Sequence, residues 1–557
     1  MSYAIPAFIP FFIAAAFALV IPMRWRYVLI LVPLINGLWL FFNLDPTPIN
    51  MQLHVFTLEI VKVDKLALLF GYLFHIACFI CLIYAMHLKD RVQFVAGLAY
   101  AGSAVGAVFA GDFLTLFIFW ELLALTSAFL VFARRTKASQ QAGIRYLMVQ
   151  ILSGVALLIA AIMHYRSTGS ISIEQIGLSG FGSYLFLFAF GIKAAFPFLH
   201  TWLTDAYPEA TPVGTVFLSA FTTKVAIYML ARTFQGEETL VYIGAAMTCF
   251  PIFYAVIEND LRKVLAYSLI NQLGFMVCGI GIGTALAMNG AVAHAFNDVI
   301  FKGLLFMTMG AVLTRVGHVN GSDLGGLHKT MPKTTLFCIV GAASISAFPL
   351  FSGFVSKSMV MAAMIEAGHD YLWLMLLFAS AGVFHHAGIK IPFFAFFAHD
   401  SKLRPKEAPT NMLIAMGIAS VLCILIGSFP EILYQLLPWE NDYVPYDITH
   451  VLTQLQLLFF SALAFVWLNK QGLYPPELKS VNLDFEFLFR KLMPSVGKRG
   501  FAAMSLMSDT FIDAAKSGIA KLPVMGRNVD PSAATLTLRM VIGFVLLVLI
   551  ALVTELV

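Results

Sequence analysis

Charge is scarce in this chain. Only 12% of its 557 residues are Asp, Glu, Lys or Arg, and no long polar tract interrupts the rest. Soluble domains carry about a quarter charged residues, so a soluble globule is excluded. Nucleotide loops are lacking as well. GIGIG at 279–283 lies inside an apolar run and follows no strand, and SGFVSKS at 352–358 has no Gly-Lys-Ser/Thr. No serine, histidine and acid arrangement stands out, which leaves a hydrolase without support. The six cysteines all fall in apolar runs; Cys78 and Cys81 form a CxxC with no second pair or histidine cluster beside it, so they read as packing residues. No disulfide framework, metal or cofactor is implied.

What fills the chain is hydrophobic sequence, 60% of residues. About sixteen apolar runs of roughly 18–25 residues recur from end to end, the length a helix needs to cross about 30 Å of hydrocarbon. They lie at 4–22, 26–43, 64–87, 92–110, 113–133, 141–163, 183–199, 211–233, 239–257, 263–283, 288–315, 334–366, 370–396, 410–427, 451–469 and 537–555. The predicted fold class is therefore an all-α polytopic membrane protein of about 14 to 16 spans. Arg24 and Arg26, Lys89 and Arg91, Arg134, Arg135 and Lys137, Lys329 and Lys333, and Lys402, Arg404 and Lys406 fall in alternate loops. That alternation places both termini outside, and it accounts for the net charge of +5 without nucleic acid as a partner. The first run, followed directly by Arg24 and Arg26 and lacking a basic leader, reads as a retained helix.

Three regions follow from this pattern. Residues 1–470 form a membrane core. Residues 471–536 mix polar and apolar positions, with Phe501, Met504, Phe511, Ala515, Ile519 and Leu522 at helical spacing, and are predicted to lie along the membrane surface. Residues 537–557 form a terminal anchor. Within the core, KAAFPFLHTW at 193–202 has a counterpart in SAFPLFSGF at 346–354. A proline in a helix interior removes a hydrogen bond and clashes with the preceding turn, so both helices should break. Paired breaks at membrane depth point to a transport path.

Ionisable groups inside the runs sharpen that reading, because each costs on the order of 2.5–3.5 kcal/mol at the bilayer centre. Glu121, Lys193, Lys224, His294, Asp298, Lys302, Lys357 and Lys390 are the candidates. His294, Asp298 and Lys302 recur every four residues and so form one stripe on a helix face that must look inward. A buried lysine beside a movable acid can alternate between protonation states, which is proton-relay chemistry. Static readings stand beside this one: Glu121 as half of a fixed ion pair, Asp298 and Lys302 neutralising each other, and Lys390 snorkelling from a span end. His385 and His386 are adjacent, project in different directions and suggest no metal site.

WELLAL around Glu121, GIKAAFPFLHTWLTDAYPEATPVG at 191–214, RKVLAYSLINQLGF at 262–275, HAFNDVIFKGLLF at 294–306 and FPLFSGFVSKS at 348–358 resemble the antiporter-like membrane subunits shared by respiratory complex I and Mrp-type cation/proton antiporters. The stretch HHAGIKIPFFAFFAHDSKLRPKEAP at 385–409 is similar to the D-type Mrp subunit. The resemblance implies a fourteen-helix core with two inverted five-helix repeats, at about 92–233 and 239–396, broken in spans seven and twelve. It implies that Glu121 pairs with Lys193 and that Lys224 and Lys357 continue the path. Asp298 stands where several relatives carry a second histidine, which does not fit a histidine-to-histidine hop there. Residues 471–557 resemble the lateral helix and final span of the largest complex I antiporter-like subunit.

The function implied is a proton-translocating subunit of a multisubunit Na+/H+ antiporter in a bacterial inner membrane. It would work with other membrane subunits, H+, Na+ and the lipid bilayer, without a cofactor. Two alternatives remain: a proton-pumping subunit of a redox complex such as an NADH dehydrogenase or membrane hydrogenase, and a non-conducting partner subunit, for instance of an inorganic-carbon uptake system.

Overall fold

A computed structural model describes residues 5–42, 47–54 and 56–475, with scattered positions out to 495. Fifteen of the sixteen apolar runs coincide with helices, twelve of them long and apolar enough to cross a membrane. Three are shorter, Ile9–Val20, Phe181–Lys193 and Pro332–Ile345. The run at 537–555 and the surface-helix residues from Phe501 onward lie outside the described residues. Acidic and hydroxyl side chains start many of the helices: Asp64, Asp90, Asp112, Asp260 and Asp447 accept from backbone N–H groups of the first turn, as do Thr136, Thr211 and Thr284.

Burial sorts the helices. In the most apolar 18-residue window of Pro212–Thr233 every residue is buried, and in Leu261–Ile282 94% are, whereas Ile448–Lys470 buries only 11% and faces outward. The central helices are those that carry the polar motifs. Helices Thr239–Ile257 and Leu261–Ile282 approach so closely that a Cβ on Gly244 would sit 2.7 Å from the Gly274 carbonyl oxygen. Small residues permit such contact where lipid supplies no hydrophobic drive between helices.

Both Ala-Phe-Pro segments break their helices, and in the same way. Ala195 and Phe198 have φ of 60° and 69°, and the matching Ala347 and Leu350 have 56° and 71°. At the first break Phe196 N–H donates to the Gly191 carbonyl (2.9 Å) and Ala195 N–H to Ile192 (3.1 Å); at the second, Phe348 donates to Ala343 (3.0 Å) and Ala347 to Ser344 (3.1 Å). This pair of bonds around one left-handed residue closes a helix end without glycine. The chain resumes as Thr201–Glu209 and Ser352–Glu366.

Two features were not anticipated. An antiparallel β-hairpin, Ile49–Leu53 with Phe56–Val61, occupies what read as a loop. In its second strand the Glu59 carbonyl accepts from Gly111 N–H, just after it Lys62 N–H donates to the Phe109 carbonyl, and Asp112 accepts from Glu59 N–H (2.8 Å) as well as capping helix Phe113–Phe132. Phe113 N–H then donates to Ile171 and Ile173 N–H to Gly111. Further on, the helix beginning at Asp370 turns π-helical over Phe384–Lys390 and Phe393–Phe397, on either side of Pro392. Residues through Phe487 form one unit, to which the segment after Lys470 contributes Tyr474, Glu477, Asn482, Asp484 and Phe485.

Candidate functional site

The eight candidate residues sit on six helical segments of the interior. Lys193, Lys224, His294, Asp298, Lys302, Lys357 and Lys390 are all at most 2% exposed. Glu121 is partly buried.

Lys193 closes helix Phe181–Lys193, immediately before the first break. Its Nζ donates to the Trp120 carbonyl (2.7 Å) and lies 4.5 Å from the centre of the Trp120 ring. Both contacts offset desolvation of an ammonium. Trp120 is itself fixed, its Nε1 donating to Ser153 Oγ at 2.9 Å and that hydroxyl to the Ala189 carbonyl at 2.7 Å. Glu121 and Lys193 form no ion pair among the described residues; Glu121 Oε1 is buried without a hydrogen-bond partner. Its carboxylate occupies the space left by Gly154, where a Cβ would sit 1.4 Å from Oε1. Gln150, one turn earlier on the same helix, has both amide atoms buried and unpartnered among the described residues.

Lys224 follows Pro212–Ala220 in helix Thr222–Thr233, and its Nζ reaches Asp298 Oδ2 at 2.6 Å, with both side chains fully buried. The Ser219 carbonyl lies 3.2 Å away. Asp298 is thus paired across helices, with Lys224 and not with Lys302 one turn along. Lys302 instead donates to Ser268 Oγ at 2.8 Å. His294, at the other end of the stripe, bridges Ser356 Oγ (3.0 Å) and Gln272 Oε1 (3.1 Å). Ser268 and Gln272 are four residues apart on Leu261–Ile282, the sequence signal that a second polar stripe faces the first.

Lys357 lies in Ser352–Glu366, past the second break. Its Nζ is 4.5 Å from the centre of the Phe275 ring and has no hydrogen-bond partner among the described residues. Lys390 does not snorkel. Its buried Nζ donates to the carbonyls of Ala255 (3.2 Å), Val256 (2.7 Å) and Glu258 (2.6 Å) at the end of helix Thr239–Ile257, and pairs with Glu477 at 2.9 Å. A cation there complements the free carbonyls of a helix C-terminus.

Sequence reading missed several buried or partly buried polar groups. Arg262 donates to the Tyr207, Pro208 and Ala210 carbonyls, sealing the end of Thr201–Glu209. Arg145 grips Asp205 with two bonds of 2.6 and 2.9 Å. His200 and Tyr267 converge on Asp484 Oδ2 at 3.2 and 2.7 Å. The aromatic and charged residues of these motifs were visible; their partners, tens to hundreds of positions away, were not.

A transmembrane family described as NADH:quinone oxidoreductase/Mrp antiporter matches residues 110–384, the stretch that holds Glu121, Lys193, Lys224, His294, Asp298, Lys302 and Lys357. The chain belongs to this family. Among relatives of this antiporter family, it is 32% identical to the A-type Na(+)/H(+) antiporter subunit of Alkalihalophilus pseudofirmus, over 67% of this chain and 53% of that one. It is 29% identical to hydrogenase-4 component B of Escherichia coli, over 58% of this chain and 56% of that one. The chain thus spans little more than half the length of these curated relatives. A chain of the membrane-bound sulfane sulfur reductase, an archaeal respiratory membrane complex, superimposes with TM-score 0.71 over 98% of this chain and 99% of its own at 23% identity, which shows a shared fold.

Proposed function

We propose that this antiporter-family chain conducts protons through Glu121, Lys193, Lys224, Asp298, His294, Lys302 and Lys357. It would do so as the proton-translocating subunit of a multisubunit Na+/H+ antiporter in a bacterial inner membrane. The observation that carries this reading is the Lys224–Asp298 pair. It joins the segment 92–233 to the segment 239–396, the two repeats of this reading, with both charged side chains fully buried. Removing two ions from water costs several kcal/mol each, so a static pair is a poor source of stability. A pair that opens and closes as protons pass has a reason to be there.

In this reading Glu121 is the gate. Seated against Gly154, it leaves Lys193 to the Trp120 carbonyl; moved to Lys193, it holds that ammonium and stops the proton. Once Lys193 passes its proton on, Lys224 can release Asp298 and the stripe on helix Ala285–Val316 carries the charge toward Lys357. A proton crossing the membrane potential releases about 2.3 kcal/mol per 100 mV, enough to drive export of a cation if the two fluxes are coupled.

Everted vesicles carrying the chain with its partner subunits test this. Lys193→Ala should abolish Na+-dependent proton movement while the complex still assembles; normal flux in the variant removes the relay. The likeness to a hydrogenase component and to a respiratory complex favours one second reading, a proton-pumping subunit of a redox complex. Copurifying iron-sulfur subunits, with proton movement driven by electron transfer and indifferent to Na+, would decide for it.

A further inference from the structure

Gln150 lies in the middle of helix Lys137–Thr168, fully buried, with neither amide atom hydrogen-bonded among the described residues. Buried polar groups are nearly always paired, so an amide left with both ends open points to a group that meets it at another moment. Glu121, on helix Phe113–Phe132, has the complementary need. Its Oε1 is buried and also lacks a partner among the described residues.

Two contacts fix how these helices face each other. Trp120 Nε1 donates to Ser153 Oγ at 2.9 Å, and Ser127 Oγ lies 2.7 Å from the Tyr146 hydroxyl. Tyr146, Gln150 and Ser153 recur at i, i+4 and i+7, one face of their helix. Gln150 stands between Tyr146 and Ser153 as Ala124 stands between Trp120 and Ser127 on the opposing helix, and all six side chains are buried. Gln150 therefore faces Phe113–Phe132 about one turn from Glu121. The Glu121 carboxylate, for its part, fills the space beside Gly154, one turn beyond Gln150. Helix neighbours one turn apart are separated by about 5–6 Å at Cβ, within the span of a glutamine side chain and a hydrogen bond. The charged and titratable groups nearby are Lys193 of Phe181–Lys193, held at the Trp120 carbonyl, Tyr146 of the same helix, and Arg145, which Asp205 of Thr201–Glu209 takes up.

We infer that Gln150 is the positioning residue of the gate: its amide N–H donates to the ionised Glu121 carboxylate and holds it in the seat beside Gly154, away from Lys193. The inference rests on the relay reading. An amide suits the task because it donates to a carboxylate and does not titrate, so it cannot take the proton in transit. With the amide engaged, the carboxylate loses less by leaving the Lys193 ammonium, and the two positions of the gate come close in energy. Without it the carboxylate falls back on Lys193, and the gate stays closed.

The test uses the full chain with its partner subunits in everted vesicles, reading the initial rate of proton movement across a range of pH, with thermal unfolding of the same preparations. Gln150→Met, an unbranched side chain of similar length, should slow the rate by about tenfold, the worth of a hydrogen bond to a charged group. Its pH profile should move toward higher pH, since the ionised carboxylate has lost a donor. The melting temperature should be no lower than the parent's, because an apolar group replaces an amide that was unpaired. Slower movement with a lowered melting temperature and an unmoved pH profile would show a merely structural role and overturn the inference. Lys193→Ala is run alongside. If Lys193→Ala is active, the relay itself fails; if it is silent and Gln150→Met runs at the parental rate and pH profile, only the seat fails. Should Gln150→Met not assemble, Gln150→Leu decides by the same readouts.

Discussion

The two broken helices share a backbone and differ in everything that touches it. At the first, the lysine precedes the break and is held by a carbonyl and an indole ring; at the second, Lys357 follows it and, among the described residues, meets the Phe275 ring without a hydrogen-bond partner. The first break is covered from the far end of the chain, with Phe198 against Phe485 at 4.6 Å between ring centres and His200 on Asp484. The second is covered by Gln454, whose Nε2 donates to the Ser346 carbonyl (2.9 Å), and by Tyr446, whose hydroxyl accepts from Leu350 N–H (3.1 Å). The break is a scaffold that ends a helix at depth. The chemistry comes from what each neighbourhood places beside it.

The largest effect that can test this contrast lies between the two halves. Lys224→Ala or Asp298→Ala alone should cost about 3–5 kcal/mol, because each leaves a buried charge uncompensated, while the double variant should recover most of that. Thermal unfolding of the purified protein measures it, and additive losses would mean the pair is not coupled. Next come two glycines. At Gly353 a Cβ would meet the Ser344 carbonyl oxygen at 1.8 Å, a backbone atom that cannot yield, so Gly353→Ala should destabilise by about 1–3 kcal/mol. At Gly154 the obstacle is the movable Glu121 carboxylate, so Gly154→Ala should leave the melting temperature nearly unchanged and slow proton movement instead. Smaller still, Ala195→Gly and Ala347→Gly each relieve a left-handed alanine and should raise stability by about 1 kcal/mol, equally at both breaks. Unequal gains would show that the two backbones are not energetically alike.

The smallest effect concerns the covering segment. Lys479 lies 2.7 Å from Asp323 and holds that loop carboxyl below its usual range. A lowered native value means that the pair stabilises above the unfolded value of about 4 and loses its contribution as pH falls through the lower native value. Lys479→Ala should therefore cost less than about 1 kcal/mol at neutral pH, since both side chains are solvated, and nothing in strong acid. Unfolding followed across pH checks the sign.

Much of this architecture was written in local patterns. Run length located the helices, the repeated Ala-Phe-Pro located both breaks, and four-residue spacing put His294, Asp298 and Lys302 on one inward face. Partner choice was another matter. Asp298 pairs with Lys224, 74 positions away, and not with its stripe neighbour Lys302, because helix apposition decides which acid meets which base. For Lys390 snorkelling stood beside the relay reading because its place near a span end is visible and the three carbonyls it meets are not. The hairpin was missed because FTLEIV has strand-like alternation too short to stand out among long apolar runs. The π-turns leave no mark beyond Pro392.

Asp112 ties together more than its helix. With Glu59 on one side and residues 171–173 on the other, the start of Phe113–Phe132 is laced to two distant stretches of chain on the face away from the positive loops. Amide hydrogens there should exchange slowly through the whole working cycle, and any breathing of the bundle should be hinged at that face and widest at the opposite one.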